Sequence, residues 1–152
     1  MEFQHDLVIP DEGLPCKFFL FEGSQGNYVR EKHWHTSIDI FALMEGSLTF
    51  YLNDVKHPLK AGELMIINSN EVHSIDSPEE NHTAVLQIPL KQFEDYFTAH
   101  RFIRFAANEQ ETDSQLWRLI REMYKLYGTR RTGYDFKIRS FFNDVVDLLV
   151  NH

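Results

Sequence analysis

Residues 33–46 read His33-Trp34-His35-Thr36-Ser37-Ile38-Asp39-Ile40-Phe41-Ala42-Leu43-Met44-Glu45-Gly46, and the fold is decided there. In an extended strand the side chains alternate between faces at a rise of roughly 3.3 Å per residue, so positions i, i+2 and i+6 point the same way. His33, His35 and Asp39 then project together. Two imidazoles and a carboxylate form a chelating set that suits zinc, nickel, iron or manganese, and His73, from another strand, is the candidate fourth ligand. Without an ion, the same four residues are polar groups lining a pocket, bonded to an organic ligand or to each other. Trp34 falls on the opposite face of a regular strand; it packs beneath other elements, or stacks on a ligand if a bulge reverses its direction. Tyr28 and Arg30 share the Trp34 face. An inward Arg30 would anchor a carboxylate or hydroxyl-bearing effector, and an outward one would lie on the sheet surface.

On both sides of this stretch, as far as residue 88, apolar residues come in short runs broken by turn residues, the spacing of an antiparallel sandwich or barrel. Strands are expected over 16–21, 28–35, 38–44, 47–52, 55–58, 64–68, 73–76 and 84–88. Asn53-Asp54 fits a two-residue hairpin turn, and Ala61-Gly62 separates two further strands. Beyond Pro89 the apolar period changes to about 3.6. Leu90, Phe93 and Phe97 share a face of a short helix. A second helix, capped by Thr112 or Asp113 and ended by Gly128, carries Leu116, Leu119, Ile120, Met123 and Tyr127. A third, from about Tyr134, carries Ile138, Phe141, Phe142, Val145 and Leu149. The last two helices make an antiparallel hairpin. Its apolar stripes either cover the β-domain or, for Ile138, Phe141, Phe142, Val145 and Leu149, meet a two-fold mate in a homodimer. The expected organisation is an N-terminal arm over 1–15, a β-barrel over 16–88 and a helical appendage over 89–152.

At 152 residues the chain is long enough for one well-packed domain and too short for two comfortable ones. Its 15 Lys and Arg against 23 Asp and Glu leave a net charge of −8, which repels phosphate backbones. The imbalance is local: residues 1–90 carry 14 acids and 5 bases, and the remainder 9 acids and 10 bases. With one cysteine, Cys16, no basic leader and no run of 18 apolar residues, the chain reads as cytoplasmic, without a membrane span or an internal disulfide. No nucleophile elbow, phosphate loop or His-Glu-x-x-His pattern occurs. Catalysis would depend wholly on a metal, in a dioxygenase- or isomerase-like barrel.

The pattern resembles the cupin superfamily, whose first motif is His-x-His, three or four residues, Glu, six residues, Gly; this chain has His33, His35, Asp39 and Gly46. Its second motif is matched by Gly62 and His73, with Asn68 in place of a proline and Ser77 in place of an asparagine. The wording of residues 33–75 is similar to the N-terminal sensor domain of AraC-type transcription regulators. That resemblance implies a mainly β fold with α, a cupin-type barrel (double-stranded β-helix or jelly roll) followed by a helical hairpin. It also implies a small-molecule effector, with a sugar favoured, inside the barrel near His33, His35, Asp39, His73, Tyr28, Arg30 and Trp34, no catalysis and no resident cofactor, and helices that dimerise. DNA would be contacted only through a C-terminal helix-turn-helix half, which would begin where this chain stops.

Overall fold

The computed structural model describes residues 4–6, 14–23, 28–35, 37–68, 73–77, 80–96, 110–129 and 132–151; within them the side chains of 4–6, 21–23, 28–35, 73, 77, 94–96, 110–113 and 151 lie outside the description. Eight strands come first: β1 (Gln4–Asp6), β2 (Lys17–Gly23), β3 (Tyr28–His35), β4 (Ser37–Leu52), β5 (Val55–Lys60), β6 (Leu64–Ile67), β7 (His73–Ser77) and β8 (Asn81–Pro89). A 3-10 helix (Leu90–Tyr96) leads to α1 (Gln110–Thr129) and α2 (Tyr134–Asn151). The architecture is mainly β with a helical hairpin, as the hydrophobic periods require.

The long strand β4 organises the sheet. Residues 37–46 pair with β8 on one side, with β6 bonded to 39–42 on the other, whereas residues 47–52 pair with β5 and β7. Two separate strands, 38–44 and 47–52, were expected; they are one strand bent at a bulge between Leu43 and Glu45, beside Gly46 with φ +84°. A bulge inserts an unpaired residue and sharpens the local twist, so the strand passes from one half-sheet to the other without ending. The order along the bonded path is β1-β3-β7-β4-β8-β2. Among the described residues every pairing is antiparallel except β1 on β3, and the bonded path there runs from β1 to β2 without a pairing between the two. At the β4–β5 hairpin Asn53 and Asp54 both have positive φ, the two-residue turn read from their types.

Alternation along β4 and β8 separates two apolar clusters. Phe41, Leu43 and Val85 point between the half-sheets, where Leu48, Phe50, Ile67 and Ile75 meet them. Ile38, Ile40, Ala42, Ala84, Leu86 and Ile88 point the other way, against Leu116, Ile120 and Met123 of α1 and the α2 stripe. The helices thus cover one outer face of the sheet. The stripe packs as cover over the sheet: Ile138, Phe142, Val145 and Leu149 are no more than 5% exposed inside a single chain, and Phe141 packs against the same cluster.

Helix boundaries shift as well. α1 begins at Gln110, before Thr112 and Asp113, and Gly128 lies within it, whereas Gly133, just before α2, has a positive φ. In the 3-10 helix Phe93 is fully buried; Phe97 lies outside the described residues. Of the expected arm, β1 runs parallel to β3, with Gln4, His5 and Asp6 opposite His33, Trp34 and His35.

Candidate functional site

Ser37, Asp39, Phe41 and Leu43 share the inner face of β4, and Thr83, Val85 and Gln87 that of β8, because Asp39 pairs with Gln87 and Phe41 with Val85. Apolar at its middle, this face is polar toward one end. There Asp39 is 1% exposed, and Ser37 and Gln87 are buried with it. The Ser37 hydroxyl donates to Asp39 Oδ1 at 2.6 Å, and the Gln87 carboxamide nitrogen donates to Oδ2 at 3.2 Å. A carboxylate removed from water is costly unless donors replace the solvent, and these two neutral side chains contribute to that replacement. Toward the other end Thr83 donates its hydroxyl proton to the Asn81 side-chain oxygen at 2.8 Å.

The remaining candidates lie on β3 and β7. Tyr28, Arg30 and His33 stand opposite Ser77, Ile75 and His73, so three residue steps on β3 answer two on β7 between the last two pairs. Arg30 and His33 thus flank a bulge in β3, with their Cα partners Ile75 and His73 on β7. Directly opposed residues in an antiparallel pair have Cα atoms about 4.5–5.5 Å apart, so the backbones of His33 and His73 are neighbours. The side chains of Tyr28, Arg30, His33, Trp34, His35 and His73 lie outside the described residues.

Asp39 is therefore the one proposed ligand whose carboxylate is described, and both its oxygens accept bonds from neutral donors. Among the described residues no group of three or more His, Cys, Asp or Glu could hold a metal ion. The chemistry on view is hydrogen bonding. Sequence reading missed Ser37 and Gln87, although both left a signal: each is a polar residue alternating with aliphatic ones in a core strand, Ser37 before Ile38 and Gln87 between Leu86 and Ile88.

Two half-sheets joined by one bent strand, with polar groups held in an apolar interior and helices over one outer face, define a cupin-type domain. The chain belongs to the AraC-like ligand binding domain family, which matches residues 15–141. Comparison with curated proteins gives no significant match. Among solved structures, a cupin superfamily protein from Desulfitobacterium hafniense is similar at 10% identity and a TM-score of 0.48, over 54% of this chain and 73% of that one. Oxalate decarboxylase from Bacillus subtilis, described for its Mn(II) centres, is similar at 18% identity and a TM-score of 0.46, over 51% of this chain and 22% of that one. No helix among the described residues is long and apolar enough to cross a membrane.

Proposed function

We propose that the chain is the effector-sensing and dimerisation domain of a cytoplasmic AraC-type transcription regulator, binding a small polar metabolite, a sugar by preference, and catalysing no reaction. The observation that carries this is the polar end of the inner face, where Ser37, Asp39 and Gln87 are buried and bonded to one another beside Phe41 and Val85. Such an island is expensive in a protein interior, and its use is to orient a hydroxylated guest. His33, His35, His73, Tyr28, Arg30 and Trp34 would complete the contacts. β1 runs along β3 opposite His33, Trp34 and His35, so an effector that binds better with this strand docked would shift its population and, with it, the placement of attached DNA-binding units. DNA is contacted through those units. A homodimer would use faces other than the buried α2 stripe, such as the groove of about 400 Å³ between α1 and α2 beside Leu119 and Leu148.

A metal-dependent cupin enzyme is the second reading, favoured by the cross-strand pairing of His33 with His73. One experiment separates the two: elemental analysis after dialysis, with melting temperatures measured with and without chelator and across a library of small metabolites. The sensor reading expects no stoichiometric metal, no response to chelator, and stabilisation by a metabolite that His35→Ala weakens. Near-stoichiometric zinc, nickel, iron or manganese, together with melting lowered by chelator, would replace it with the enzyme reading.

A further inference from the structure

One rung of the inner face carries three polar side chains on adjacent strands. Lys17 of β2 stands opposite Gln87 of β8, which stands opposite Asp39 of β4. Asp39 sets the orientation of its neighbour: a carboxylate only accepts, so the Gln87 nitrogen must face it, and the carboxamide oxygen is turned away. Gln87 is 5% exposed, yet among the described residues that one bond is the whole of its side-chain hydrogen bonding with the protein, leaving a carboxamide acceptor and a second N–H in the interior. Lys17 is half-buried at the edge strand, with Nζ 5.4 Å from the centre of the Phe19 ring, and no acid among the described residues pairs with it. Phe19 itself packs on the inner cluster, so the ammonium lies on the same side as Gln87.

Resting on the effector-domain reading above, we propose that Lys17 and Gln87 form an effector subsite for a small hydroxylated carboxylate of sugar-acid type, with Gln87 reading a hydroxyl and Lys17 holding the carboxylate. Neighbouring strands are about 4.8 Å apart, so a hydroxyl and a carboxylate a few bonds apart span the two side chains. A charged hydrogen bond is roughly twice as strong as a neutral one, so a ligand with an anionic end gains from Lys17 what a neutral sugar does not. Asp39 is a positioning residue, since it acts through Gln87.

Thermal shift and calorimetric titration with gluconate, glucuronate and galacturonate, each beside its neutral counterpart sorbitol, glucose or galactose, test the subsite. The expected result is stabilisation by at least one acid and none by its counterpart. Lys17→Gln should weaken that acid at least tenfold and Lys17→Arg restore most of the affinity, while both variants keep the parent melting temperature without ligand. Gln87→Leu should abolish binding, and its melting transition without ligand, read in the same thermal-shift experiment, separates loss of the subsite from loss through misfolding. A neutral sugar binding as well as its acid, or an acid binding unchanged to Lys17→Gln, overturns the proposal. So does a panel without response, but if the wider metabolite library then stabilises the protein, the effector-domain reading stands and only the ligand class falls.

Discussion

Gly46 shows how one residue can govern the corner of the sheet. Its φ of +84° lies where a side chain costs about 1–2 kcal/mol, and a Cβ there would collide with the backbone carbonyl oxygen of Glu80. Strand β8, which follows Glu80, cannot retreat without breaking its ladder with β4. Gly46→Ala is therefore expected to destabilise the fold by more than about 2 kcal/mol, as measured by urea denaturation with an unchanged slope. Gly62→Ala is the control: its φ of +89° carries the same backbone cost, but nothing lies within 4 Å of the added methyl group, so the loss should stay near about 1 kcal/mol. Equal losses at both positions would remove the steric part of the argument.

Between elements, the bulge of β4 is where sheet and helix are tied. The Leu43 carbonyl accepts from the Gly62 backbone N–H at 2.9 Å and from the indole N–H of Trp117 on α1 at 3.2 Å. Bulged strands leave backbone groups outside the ladder, and here a turn and a helix satisfy one of them. Trp117→Phe keeps an aromatic ring while losing the second donor, and the carbonyl retains its first. A loss of about 1 kcal/mol is expected, accompanied by faster amide exchange at Gly62. Unchanged exchange there would mean that the indole contributes packing alone.

For the molecule as a whole, the helices and the outer face of the sheet make one core, separate from the apolar interior where the polar island sits. Phe142, 4% exposed, lies in the former. Phe142→Ala should cost about 3–5 kcal/mol at every protein concentration, because the cavity opens within one chain. A loss that shrinks as concentration rises would point instead to an interface between copies, since association stabilises by mass action. Ligand-induced stabilisation should survive this substitution under conditions where the variant is folded, since the two clusters are distinct.

Most of the architecture is legible in local pattern. Alternation of aliphatic residues marks β4 and β8, Asn53-Asp54 marks the hairpin, and the 3.6-residue stripes mark α1 and α2, because each signal spans a few residues and arises from one buried face. Asp39 is legible too, a lone acid among aliphatic neighbours. The tertiary structure decided what depends on partners distant in sequence. The β3 bulge between Arg30 and His33 is a mismatch with β7, some 45 residues away, and the unbroken course of β4 through Gly46 depends on the approach of Glu80. Gln87 acquires its role only by meeting Asp39, 48 residues earlier, and the α2 stripe is committed to its own chain only because a sheet face is there to receive it. Periodicity says that a face is buried; what buries it is set by packing between elements that the local pattern does not encode.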